Sequence, residues 1–316
     1  MNSLNGKVAG VTINSSASGA GSAARVVMRG VKSITKSNNA LYVIDGIPMF
    51  NVVNEGTDTG ITADQPGSDA VADINPEDIE SINMLTGPAA AALYGNAAAS
   101  GVVLINTKKG TKDKTNISVS SSTTFSTPTM LPKMQSKYGN KDGVFASWGD
   151  LVNSNYDPEK FFRTGVNTIN SVSLSTGTSK NQTYVSVSAT NSNGILPNNK
   201  YERYNVSGRN TASFLNDKLV LDFGANLIFQ NDRNMTAQGR YFNPLTALYL
   251  FPRGENFDAI RMYERYNEGL GIYEQYWPYE TQSMELQNPY WTMNRIVREN
   301  KKKRFMTNAS LKWNII

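Results

Sequence analysis

With 316 residues the chain is long enough for one large or two medium domains. It contains no cysteine and no histidine, which removes disulfide staples, thiol nucleophiles, imidazole bases and nearly every zinc-site arrangement, so neither an enzyme nor a cofactor-binding protein is expected. The net charge of +5 gathers in short runs, Lys108-Lys109 with Lys112 and Lys114, and Lys301 to Arg304, rather than in the continuous basic stripe of a nucleic-acid reader.

From the N-terminus to about residue 112 the texture is mixed α/β. Short runs rich in β-branched residues predict strands at Val8 to Ile13, Val26 to Val31, Leu41 to Ile44, Ile79 to Leu85 and Val102 to Thr107. Asp45-Gly46 is a tight-turn pair, with Gly46 suited to positive φ and Asp45 expected to cap the turn. Asp64, Asp69 and Asp73 lack regular calcium-ligand spacing and are expected in a solvated loop. Asn75-Pro76-Glu77-Asp78 reads as a helix start, with a capping side chain, a proline at the first position and two acids on the positive end of the dipole. A second helix, Pro88 to Tyr94, is entered through Gly87-Pro88 and stopped by Gly95.

From about residue 116 the pattern changes to long strands of period two. In Leu219 to Gln230 one face reads Leu219, Leu221, Phe223, Ala225, Leu227 and Phe229, and the other carries Asp222, Gly224, Asn226 and Gln230. The same alternation appears in Ile117 to Phe125, around Val172 and Leu174, around Val185 and Val187, and in Phe305 to Ile315, with a weaker copy at Arg203 to Phe214. A soluble β-sandwich gives the same alternation. Two features favour a membrane barrel: strands of about nine to twelve residues, near the spanning length, and connections that alternate in length. Those connections fall at about 127–167 (long), 178–182 (short), 192–202 (intermediate), 215–217 (short) and 231–302 (long). The basic runs are then expected to flank strands at the polar boundary. No apolar stretch reaches the roughly 18 residues of a membrane helix, and the N-terminus lacks a signal-type apolar core, so an export signal is expected upstream.

The last long connection is heavily aromatic. Tyr273, Tyr276, Trp277, Tyr279, Tyr290 and Trp291 are its candidate ligand-binding residues, because aromatic faces beside polar groups suit sugar rings and peptide side chains. The competing expectation is that these rings pack the loop or form an aromatic belt. Met262 to Tyr266 is expected to be a short helix favouring packing.

Three blocks carry a resemblance: ALYVIDGIP at Ala40 to Pro48, INPEDIESINMLTG at Ile74 to Gly87, and PAAAALYGNAAASGVVLINTKKG at Pro88 to Gly110. In order and spacing they resemble the plug of SusC/RagA-type TonB-dependent transporters, with Asn5 to Val11 and Arg25 to Gly30 similar to the preceding plug strands. The resemblance implies a mixed α/β plug domain over residues 1–112, with Asp45, Gly46, Gly87, Pro88 and Gly95 at its turns. Residues 113–316 would be the first antiparallel strands, about six, of a transmembrane β-barrel that has about 22 strands in the parent. It also implies Gram-negative outer-membrane location and import of glycan or peptide fragments. The implied partners are the TonB–ExbB–ExbD complex, a SusD-like surface lipoprotein and outer-membrane lipid. Asp45 could then face a substrate or a barrel arginine instead of only capping its turn. A siderophore or cobalamin receptor, and a secreted β-rich binding module, are the alternatives.

Overall fold

The structure, a computed structural model, describes residues 6–15, 24–33, 38–49, 73–86, 88–141, 147–237, 239–277 and 286–315. Asp64, Asp69, Gly87 and Tyr279 therefore lie outside the described residues.

Strands β1 (Val11–Ser15) and β2 (Ala24–Met28) pair antiparallel. Strands β3 (Leu41–Ile44), β4 (Ile47–Met49), β5 (Ile79–Leu85) and β6 (Val102–Thr107) form a second sheet in the order β4-β3-β6-β5, in which only the β3–β6 pair is parallel. β3, β5 and β6 occupy the expected positions. β2 stops at Met28 rather than Val31 because Arg29 and Gly30 both take positive φ and turn the chain. β4 is not visible in the sequence pattern; the Asp45-Gly46 turn creates it. Both residues have positive φ (49° and 85°), and Ile44 faces Ile47, the geometry of a two-residue type I′ hairpin.

Alternation along β3 and β6 gives this sheet two cores. Tyr42, Val103 and Ile105 meet Ile13, Val26 and Met28 of the first sheet. On the opposite face Leu41, Val43 and Val102 meet Ala90 and Ala98, carried by and just after helix α1 (Pro88–Tyr94). Pro88 opens α1, and Gly95, at φ 69°, ends it by returning its N–H to the Ala91 carbonyl.

The second half contains β7 (Asn116–Ser126), β8 (Gly165–Gly177), β9 (Asn181–Asn193), β10 (Lys200–Phe214) and β11 (Leu219–Arg233). A long connection carries helix α2 (Pro244–Tyr249), a hairpin of β12 (Glu264–Asn267) and β13 (Ile272–Gln275), and helix α3 (Pro289–Asn294), and it leads into β14 (Glu299–Trp313). β7 to β11 and β14 make one open antiparallel sheet with each strand beside its chain neighbour, β7 and β14 being the edges. The strands run 11 to 15 residues, longer than expected, because pairing continues past the apolar segments into polar residues such as Arg233 opposite both Lys200 and Glu299.

Register aligns like with like across all six strands. Val119, Val172, Val187, Val206, Leu227 and Phe305 stand side by side in one row, and all are exposed. The neighbouring row on the other face reads Ser118, Ser173, Ser186, Ser207, Asn226 and Met306. One face of this wall is therefore apolar and bare, and the other is small and polar. A one-residue slip would exchange the two faces, so the row fixes the register.

The expected helix at Met262 to Tyr266 is corrected. A 3-10 turn covers Phe257–Arg261, and β12 begins at Glu264 because Tyr266 pairs with Tyr273 across the hairpin, ring centroids 5.2 Å apart.

Candidate functional site

The N-terminal unit meets the polar face of the wall through three carboxylates, and the inner positions of β10 order them. Positions 209, 207 and 205 point the same way along the strand, each step about 7 Å long. They contact Asp45, Asp78 and Asp73 respectively.

Nearest the short-turn end, Arg209 binds Asp222 of β11 in a two-pronged fork, with Nε to Oδ1 at 2.9 Å and Nη2 to Oδ2 at 2.8 Å. Its Nη1 reaches Asp45 Oδ1 at 2.7 Å and the Thr107 hydroxyl at 2.9 Å. Asp45 also accepts from the Thr107 N–H at 2.9 Å, and Lys109 adds a second cation to Asp222 at 3.3 Å. Asp45 thus does more than cap its turn: it is both the hairpin corner and the acid facing a wall arginine. Planar guanidinium matches two carboxylates here at once, which a lysine cannot do.

One step along, Asp78 is held without any cation among the described residues. Asn75 caps the 3-10 turn Pro76–Asp78 as the sequence predicts, its Oδ1 accepting from the Glu77 N–H at 3.3 Å. The Asp78 carboxylate, 4% exposed, accepts from Tyr184 Oη at 2.9 Å and from the hydroxyls of Ser186 and Ser207 at 2.7 Å each. Asn75 Nδ2 also donates to it at 3.3 Å, and these four neutral donors offset its desolvation. A cavity of about 390 Å³ opens beside these contacts, lined by Asp45, Asp78, Arg209, Asn226 and Asn308 among others.

Next comes Asp73, and here two expectations are corrected. Asp73 is not a solvated loop residue but is 0% exposed. Lys302 Nζ lies 2.6 Å from its carboxylate, Arg304 Nη1 touches the same oxygen, and Asn205 donates to its backbone carbonyl. Lys301 to Arg304 therefore do not simply flank a strand at the boundary. Period two turns Lys302 and Arg304 inward and leaves Lys301 and Lys303 exposed.

At the long-loop end the aromatic segment builds a core of its own. Phe161, Leu196, Leu248, Phe251, Phe257 and Trp277 pack together. Arg253 ties two long connections to each other: its Nε donates to Gln135 O at 3.0 Å, and its guanidinium stacks 3.6 Å over the Tyr156 ring. Burial pushes Arg253 below the ordinary guanidinium value and the Tyr156 phenol above its own. Of the candidate ligand residues, Trp277 is 6% exposed within this core, and Tyr290 sets its ring edge-on against Phe161 at 5.0 Å. Tyr276 is half-buried beneath Arg265 at 3.7 Å, Trp291 is half-buried, and Tyr273 is exposed on the β12–β13 hairpin. The structure does not gather the five described ones into one surface.

Comparison with known proteins agrees with this geometry. The model of the TonB-dependent receptor plug domain matches residues 1–102. TonB-dependent receptor SusC of Bacteroides thetaiotaomicron is 34% identical over 248 residues, 74% of this chain and 23% of the relative. TonB-dependent receptor P26 of Formosa agariphila is 31% identical over 251 residues, 73% of this chain and 23% of the relative. The chain thus spans under a quarter of the length of these curated relatives. Among solved structures, the RagAB peptide importer in its closed-closed state superposes with a TM-score of 0.65 at 19% identity, covering 98% of this chain and 36% of the other. By the plug-domain match over residues 1–102, the SusC-like sequence across both halves and the shared fold, the chain belongs to the SusC/RagA-type family of TonB-dependent receptors.

Proposed function

We propose that the chain supplies the plug, residues 1–112, and the first six wall strands, within residues 113–316, of an outer-membrane transporter. It imports a glycan or peptide fragment using energy from the TonB–ExbB–ExbD complex. The observation that carries this reading is the pairing of a mixed α/β unit, docked by buried carboxylates, with a sheet whose other face is a bare apolar row. A soluble sandwich would bury that row against a second sheet, whereas lipid covers it at no cost. A lumen filled by a domain held through ion pairs and hydroxyls can be emptied, because each lost contact is exchanged for water.

The name of the RagAB peptide importer gives peptide as that protein's cargo and supports a peptide here, and a SusD-like surface lipoprotein is the partner expected over the loop mass. Within that mass Tyr273, Tyr276, Tyr279 and Trp291 contact cargo, while Trp277 and Tyr290 hold the loop in shape. The role is transport, not catalysis. The test is uptake of labelled oligosaccharides and peptides by cells with and without the transporter, each with and without TonB. Uptake that needs both supports the proposal; uptake indifferent to TonB contradicts it.

A further inference from the structure

The three plug acids leave different surfaces on the wall when the plug moves away. Arg209 keeps Asp222, its two-pronged partner within the wall. Tyr184, Ser186 and Ser207 are neutral and rehydrate readily. Arg304 differs from both, because among the described residues Asp73 is the one carboxylate at ion-pair distance from it. Lys302 grips the same Asp73 group. Two half-buried cations converging on one carboxylate oxygen repel each other once it leaves, so this part of the wall favours a negative group between them.

The next inner position of β10 extends the pattern toward the long loops. Arg203 is 6% exposed, its Nε has no hydrogen-bond partner, and no carboxylate lies at ion-pair distance from it among the described residues. It faces Gln230 across the β10–β11 pair, and Gln230 in turn faces Lys302 across the β11–β14 pair. The inner wall therefore carries a third cation beyond the point where Asp73 is seated, with Asp232 at the next inner position of β11, bonded by Gln230 at 3.1 Å.

We propose that Lys302 and Arg304 form an anion-binding subsite on the inner wall, which Asp73 occupies in this state and which a carboxylate or phosphate group on the cargo takes over when Asp73 withdraws. This deepens the transport reading above and rests on it for the withdrawal. Asp73 acts as an internal stand-in for an anionic cargo.

The test is chemical rescue in the complete transporter purified in detergent. Asp73→Ala is titrated with sodium acetate, with inorganic phosphate, and with sodium chloride at matched ionic strength, reading Tm. A saturable rise of about 2–4 °C with acetate or phosphate, absent with chloride, is expected, and the more effective anion identifies the group recognised. The rise should vanish when Lys302→Gln and Arg304→Gln are added. Should Asp73→Ala not fold, Asp73→Ser goes through the same titration, since it removes the charge, leaves room for a small anion and keeps a polar group. No anion-specific rise, an equal rise without Lys302 and Arg304, or failure of both Asp73 variants to fold in acetate would overturn the proposal. Rescue in a protein that shows no TonB-dependent uptake would leave the subsite standing and remove the transport reading; uptake without rescue would do the reverse.

Discussion

Arg209 contacts Asp222 in its own wall and Asp45 in the plug, so removing it leaves Asp45 without a cation among the described residues and Asp222 with Lys109 alone, both side chains being nearly buried. Arg209→Ala is expected to cost about 3–5 kcal/mol, the range for breaking a buried ion pair by removing one partner. Denaturant unfolding of the complete protein checks it; a loss under about 1 kcal/mol, the worth of an exposed pair, would contradict the assignment. Arg209→Lys should recover only part of the loss, because an ammonium cannot hold both carboxylates in one plane. The Asp45-Gly46 turn was legible in the sequence because turn chemistry is local. Its arginine was not: it lies 164 positions away, in the strand with the weakest alternation. Asp73 and Lys302, separated by 229 positions, were misread for the same reason, since a loop acid and a strand lysine each look solvated until the docking that joins them is known.

The strands show what local periodicity can deliver. β11 follows its pattern, with Leu221, Phe223, Leu227 and Phe229 exposed while Gly224, Ile228, Gln230 and Asp232 are buried. Phe223→Arg is expected to cost roughly 2–4 kcal/mol if the residue sits near mid-membrane; unchanged folding yield and urea midpoint in lipid would count against the outward assignment. In the aromatic connection the period was no guide, because a loop has no fixed face. Aromatic content alone could not separate Trp277, which is core, from Tyr273, which is exposed. Trp277→Ala should cost about 3–5 kcal/mol of local stability, as for other large-to-small core changes, seen as faster proteolysis of the long connections with membrane insertion preserved. Tyr273→Ala should leave proteolysis unchanged and weaken cargo capture. Equal proteolysis of the two variants would remove the distinction between packing and contact residues.

For the whole molecule the decisive property is that the six-stranded sheet is open, with β7 and β14 presenting unpaired edges. In lipid each unpaired backbone group costs several kcal/mol, so these edges must be joined by further strands for the wall to sit in a membrane. The alternation of short and long connections was readable from residue spacing, and it places the short turns at 178–180 and 215–218 at one end of the wall. How the plug sits against that wall was not readable, since it depends on side chains from both units meeting. Single cysteines can be placed along β11 with no competing thiol from these 316 residues, any cysteine elsewhere in the complete protein being replaced by serine. Positions 221 to 230, each labelled with a bimane fluorophore in the complete protein reconstituted in brominated lipid, test the central claim directly. The account predicts strong quenching at 221, 223, 227 and 229 and little at 222, 224, 226 and 230; uniform quenching, or none at any position, would contradict a lipid-facing wall with the plug behind it.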